Sequence, residues 1–130
     1  MLMPGSNSPD TLVGGDGSDQ INGGPNRDSL FGGGGGDTLN GGIQSDKLRG
    51  GDGDDFLNGA QGADKLIGGD GADVLLGGTG NDQLFLGTVR GDDARDGDAD
   101  VIVVNTVHGK DLVWGFEAGI DGIALLGDGS

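Results

Sequence analysis

Aspartate is the residue type whose spacing could do chemistry in this chain. Asp19, Asp28, Asp37, Asp46, Asp55, Asp64, Asp73 and Asp82 recur every nine residues without insertion or deletion. Asp10 extends the series backward, and Asp100 extends it forward across a broken block at residues 86–94. Regularly repeated carboxylates can hold hard cations, and carboxylate pairs can also do general acid–base work. Other chemistries are poorly supplied. Cysteine is absent and His108 is the only histidine, which removes thiolate and histidine-cluster metal sites and leaves little for an imidazole triad. The run Gly32–Asp37 (GGGGGD) lacks the Lys and Ser/Thr of a phosphate loop. Asp96–Val101 (DGDADV) resembles the start of an EF-hand, but Val101 stands where the loop needs Gly and Val107 where it needs Glu.

The elements that must position these aspartates follow from the blocks around them. From Gly14 the chain reads GGDGSDQIN, GGPNRDSLF, GGGGGDTLN, GGIQSDKLR, GGDGDDFLN, GAQGADKLI, GGDGADVLL and GGTGNDQLF, ending at Phe85. Asp holds position six of every block, and position eight is aliphatic: Ile21, Leu30, Leu39, Leu48, Leu57, Leu66, Leu75 and Leu84. A glycine-rich opening makes a tight turn with backbone angles closed to residues bearing a Cβ. The last three residues suit one short strand with its aliphatic residue pointing inward. Two blocks then form one coil of a parallel solenoid, an all-β fold whose coils stack at about 4.8 Å. Its core is thin, one aliphatic side chain per strand, so another source of free energy is required.

Composition agrees. The chain has 130 residues, 33 of them Gly, with 32% hydrophobic and 4% aromatic residues, and its length allows one ordinary domain. Glu117 is the only Glu, and Asp and Gly both disfavour helix. A formal net charge of −15 repels nucleic acid and anionic membranes, and no apolar run reaches membrane-spanning length. The partner such a surface attracts is a cation. Carboxylates on one edge lie a coil height apart, and glycine-rich turns leave main-chain carbonyls uncovered. Six to eight oxygens in flexible geometry describe calcium better than zinc or magnesium. Every regularly spaced Asp thereby has a ligand role, and the chain is expected not to be an enzyme.

These blocks resemble GGxGxDxUx, the nonapeptide of the RTX, or hemolysin-type calcium-binding, family. The resemblance implies a right-handed parallel β-roll of 18 residues per coil over residues 1–103, regular over 14–85, followed by a C-terminal β cap at 104–130. It also implies calcium between coils and a secreted protein exported by a type I system and folded in external calcium. Residues 111–125, DLVWGFEAGIDGIAL, are similar to a segment found after such repeats, with Val113 for Ile and with Phe116, Gly119, Asp121, Ile123 and Leu125 in place. Trp114 and Phe116 are expected to cover the last coil.

The two edges are not alike. The odd edge carries Asp19, Asp37, Asp55 and Asp73, with Gly15, Gly33, Gly51 and Gly69 at position two and Gly17, Gly35, Gly53 and Gly71 at position four. The even edge carries Asp10, Asp28, Asp46, Asp64, Asp82 and Asp100, and its position four is Ser8, Asn26 and Gln44 before Gly62 and Gly80. Gly78 and Gly80 complete the turn before Asp82. Good sites are expected along the odd edge and between Asp64 and Asp82, weaker ones at Asp10, Asp28 and Asp46, where Arg27 could neutralise Asp28 directly. Roughly five to seven ions would offset most of the formal charge.

Position nine of the even blocks is Val13, Phe31, Arg49, Ile67, Phe85 and Val103. The repeats' basic residues, Arg27, Lys47, Arg49 and Lys65, also fall only in even blocks. Ordinary exposed strand and charge balance explain this pattern. So does a face for an acidic polysaccharide, for a partner or for a second copy of the chain. Some members of the family bind ice through a Thr and Asn flanking each turn, but that pair occurs here only once, at Thr79 and Asn81.

Overall fold

The computed structural model describes residues 1–87, 101–105, 112–114 and 122–126. Every regular element among them is a strand, alternating between two parallel sheets. One sheet takes β1 (Leu2–Pro4), β3 (Gln20–Gly24), β5 (Thr38–Gly42), β7 (Phe56–Ala60), β9 (Val74–Leu76), β11 (Val101–Asn105) and β13 (Gly122–Leu126), in that spatial order. The other takes β2 (Thr11–Asp16), β4 (Ser29–Gly34), β6 (Lys47–Asp52), β8 (Lys65–Asp70), β10 (Gln83–Phe85) and β12 (Leu112–Trp114). The fold is the expected parallel β-solenoid.

Register preserves the sequence period. Ile21 pairs with Leu39, Leu39 with Leu57 and Leu57 with Leu75 in the first sheet. In the second, Leu12 pairs with Leu30, Leu30 with Leu48, Leu48 with Leu66 and Leu66 with Leu84. From Ile21 to Leu84 these residues are at most 2% exposed and fill the space between the sheets, with Met3 and Leu12 packed against them. A slip of one residue would turn every one of them outward, so register and core are specified together.

Beyond Phe85 the expected frame shifts. The strand β11 pairs with β9, Val101 beside Val74 and Ile102 beside Leu75, and so joins the first sheet. Counting one more nonapeptide through residues 86–94 therefore gives the wrong sheet for Val101–Asn105. Asp100, expected on the even edge, precedes a strand of the odd series, and Asp100 itself lies outside the described residues. Val103 moves with it to the first sheet, and Trp114 takes the register position beside Phe85. The strands β12 and β13 extend both ladders, β13 pairing with β11 through Ile123 and Ile102. Two strands of the segment expected to cap the roll thus add rungs to it. Phe116, His108, Asp96 and Asp98 lie outside the described residues.

Candidate metal centre

Each turn hands its aspartate to the interior. Asp19, Asp28, Asp37, Asp46, Asp55, Asp64, Asp73 and Asp82 are all between 0% and 4% exposed, as buried as the leucines. From Asp28 onward, their Oδ1 atoms accept a hydrogen bond from the main-chain N–H of the aspartate one coil earlier. On the odd edge Asp19 donates to Asp37, Asp37 to Asp55 and Asp55 to Asp73, at 2.8, 2.8 and 2.9 Å. On the even edge Asp10 donates to Asp28, Asp28 to Asp46, Asp46 to Asp64 and Asp64 to Asp82, at 2.8, 2.7, 2.8 and 2.8 Å. Two unbroken carboxylate ladders result.

The second oxygen is left over. Oδ2 of Asp19, Asp28, Asp37, Asp46, Asp55 and Asp64 is buried without a hydrogen bond. It lies against the first glycine of its own block: a Cβ on Gly23 would sit 2.5 Å from Asp28 Oδ2 and 2.7 Å from the Gly41 carbonyl oxygen. Glycine at position one is thus explained by room for the carboxylate. Where Leu86 replaces it, its sequence partner at position six is Gly91 instead of Asp. Leu86 is fully buried beside the leucine core, a core residue the repeat pattern gave no reason to expect.

Positions two and four supply the turn. Gly15, Gly17, Gly33, Gly35, Gly51, Gly53, Gly69, Gly71, Gly78 and Gly80 all have φ between 94° and 119°. The carbonyl oxygens of Gly15 and Gly17 press against the Cα positions of Gly33 and Gly35 one coil on, where a Cβ would clash. The described residues with positive φ that are not glycine are Asn26 (85°), Gln44 (74°) and Ala60 (73°), all on the even edge. Strain therefore falls on the edge expected to be weaker, and Ala60 extends it into the Asp64 turn. Arg27 is exposed beside the buried Asp28, with no ion pair between them. The expected direct neutralisation is not made.

Burial without a countercharge shows in the acidities. Desolvation raises the Asp37 carboxyl, against the lowering effect of the Asp19 N–H. It pushes Asp46 and Asp55 up to about 6. Asp64 reaches about 8, mainly through burial, with the neighbouring Asp82 and Asp46 charges adding to it. A positive charge near these groups would oppose the shifts.

The residues fit a hard cation. The donors are oxygens alone, each ladder buries acid with an oxygen unengaged, and the turns stack carbonyls along the same edge. Among the described residues no three carboxylates converge, so main-chain carbonyls must make up the six to eight oxygens calcium takes. Asp19, Asp37, Asp55 and Asp73 with their turn glycines stand on one edge, and Asp10, Asp28, Asp46, Asp64 and Asp82 on the other.

Parallel coils with carboxylate ladders at their turns define a calcium-binding β-roll. A family model described as RTX calcium-binding nonapeptide repeat (4 copies) matches residues 4–39, 31–66 and 58–90. The chain belongs to this family of calcium-binding repeats. No curated protein and no solved structure gave a match.

The first aspartates of the two ladders, Asp10 and Asp19, use donors that the repeat does not announce. Asp10 accepts from the Ser6 N–H at 2.6 Å and from its hydroxyl at 2.9 Å. Asp19 accepts from the Met1 ammonium at 2.8 Å. Met1 stands 18 residues before Asp19, at the register where later coils carry an aspartate, whereas Ser6 reaches Asp10 from within the same turn.

Proposed function

We propose that this chain is a noncatalytic folding and secretion module: a roll that closes on extracellular calcium after type I export. The observation that carries the reading is the set of six buried Oδ2 atoms in the two ladders. Folding takes these carboxylates out of water, and their charge then opposes the fold unless a cation neutralises it. Calcium, when bound, supplies that charge. The chain's own part is to hold the carboxylates in file through Oδ1, to keep water out with the leucine core, and to present carbonyls at glycine turns.

Folding and binding then become one event. In calcium-poor cytosol the acidic chain repels itself and stays open. Extracellular sites of this kind bind at about 10⁻⁴–10⁻³ M, close to the calcium found outside cells. Roughly five ions fit the glycine pattern: three along the odd edge, one between Asp64 and Asp82, and a further weak one on the even edge. The aspartates serve as ligands and ladder acceptors, which leaves none of the regular series for catalysis.

The test is far-UV circular dichroism through a calcium titration with magnesium as control, paired with native mass spectrometry. A cooperative coil-to-β transition with calcium alone, and at least three ions bound, is expected. A chain already folded in chelator would overturn the folding switch.

A further inference from the structure

All four basic side chains of the described residues lie on the six-stranded sheet or in the turns leading into it. Lys47 and Lys65 are register neighbours on β6 and β8. Arg49 stands beside Phe31 on one side and Ile67 on the other. No ion pair joins Arg27, Lys47, Arg49 or Lys65 to any described residue. Among the described residues none of the four is neutralised by a carboxylate, on a chain of net charge −15. The outward positions of these strands, seven and nine, hold no acid from Thr11 to Phe85. Among the described residues, basic side chains are gathered onto one face.

That face is grooved. Arg27, Ser29, Ser45, Lys47 and Lys65 line a depression of 370 Å³. Asp28 and Asp46 also border it but are each 2% exposed, with Oδ1 already engaged. A second depression of 160 Å³ adjoins it through Lys47 and Lys65 and is walled by Phe31, Arg49 and Ile67. Phe31 is 38% exposed, and Lys65 Nζ lies 5.3 Å from the Phe85 ring centroid. Cations and hydroxyls on one side of the groove thus meet apolar side chains on the other.

We infer that this face binds a linear acidic polysaccharide, a chain of uronate sugars running across the rungs. The pairing of chemistries selects it. A pyranose ring has an apolar face to lay on Phe31 and Ile67, and a uronate carries one carboxylate per ring for Arg27, Lys47, Arg49 and Lys65. Rungs repeat at about 4.8 Å, the scale of one sugar unit, so an extended oligosaccharide of a few units spans β4, β6 and β8. The isolated acid of the glycan gains charge-assisted hydrogen bonds, while neutral glycans gain only the apolar contact. The inference rests on the calcium-driven fold proposed above, because the face exists only when the coils are stacked.

The experiment titrates the full, calcium-loaded chain with a short oligogalacturonate by calorimetry, after circular dichroism has shown the sample to be folded. A matched neutral maltooligosaccharide and a single-stranded oligonucleotide are the comparison ligands, and sedimentation reports self-association. Binding of the uronate is expected, weakened at least about tenfold in Lys47→Gln/Lys65→Gln and restored in Lys47→Arg/Lys65→Arg. Phe31→Ala, judged for folding by the same spectrum, should weaken it without changing its salt dependence. A folded chain that ignores the uronate, binds the oligonucleotide more tightly, holds the uronate equally well as the double Gln variant, or buries this face in a dimer overturns the inference. A chain that does not fold with calcium fails at the spectrum, which separates that failure from this one.

Discussion

The main-chain N–H of Asp46 donates to Oδ1 of Asp64 at 2.8 Å, joining two acidic residues one coil apart inside the roll. The same bond recurs along both edges. It serves register and charge at once: the acceptor is used to align the coils, while the remaining oxygen carries acid into a dry place. Four predictions follow from how that division is balanced.

The central odd-edge residue separates the two duties. Asp55→Asn keeps a carbonyl oxygen for the Asp37 N–H and discards the buried charge. The calcium-free chain should gain β structure, while the calcium midpoint rises and one ion is lost. Asp55→Ala discards both and leaves the Asp37 N–H unpaired, a further cost of about 1–3 kcal/mol. Calcium titrations followed by circular dichroism and native mass spectrometry distinguish the two; equal behaviour would count against the ladder.

Acidity should favour the calcium-free roll. The Asp46 and Asp55 carboxyls stand at about 6 and Asp64 at about 8 in the fold, raised by burial from an unfolded value of about 3.9. Raised groups stabilise the fold fully below the unfolded value and cease to do so as pH rises through the folded one. Thermal melts without calcium should therefore lose stability between about pH 4 and 8. With calcium the direction reverses, because protons compete for the same oxygens, and the calcium midpoint should rise as pH falls through about 6.

The even edge should be improvable. Gln44→Gly and Ala60→Gly place glycine at φ values of 74° and 73° and should each stabilise the loaded roll by about 0.5–1 kcal/mol. Gly53→Ala should do the opposite on the odd edge and cost more, since φ there is 112° and the Gly35 carbonyl oxygen occupies the Cβ position. Denaturant midpoints at saturating calcium measure all three.

Ser6 should matter only to the turn that holds Asp10. Ser6→Ala removes the hydroxyl bond to Asp10 and keeps the main-chain one. An exposed bond of this kind contributes about 0.5–1.5 kcal/mol, so hydrogen exchange should quicken across β2 and leave β6 and β8 unchanged.

Much of this arrangement was legible because the repeat ties chemistry to geometry residue by residue. Asp at position six and Leu at position eight predicted coil length, sheet alternation and the core, and the glycines at two and four predicted positive φ. What was not legible had lost its spacing. Leu86 sits in a block without its aspartate, and counting nine residues through that block put Asp100 in the wrong series. A local signal would have served better there. Asp followed two residues later by an aliphatic precedes every late strand: Asp100 and Ile102, Asp111 and Val113, Asp121 and Ile123. Intervals of 11 and 10 residues separate these aspartates, so the late spacing departs from nine while the Asp-x-aliphatic unit recurs. Ser6 and Met1 were invisible for another reason, since neither is a residue type that the repeat places in the ladder.

The parity of the roll bears on how such a gene can lengthen. Partners across the ladders are 18 residues apart, so duplicating two adjacent nonapeptides adds a coil and returns every later residue to its own sheet. Duplicating one nonapeptide also leaves an aspartate in every turn, yet it exchanges the sheets for everything downstream. Inserted before Lys47, a single copy would leave Ser29 and Phe31 on one face and carry the lysines to the other. Single-block gains keep an aspartate in every turn but are ruinous for any surface drawn from alternate blocks. Descent of this chain should therefore have proceeded by even steps wherever that surface is used.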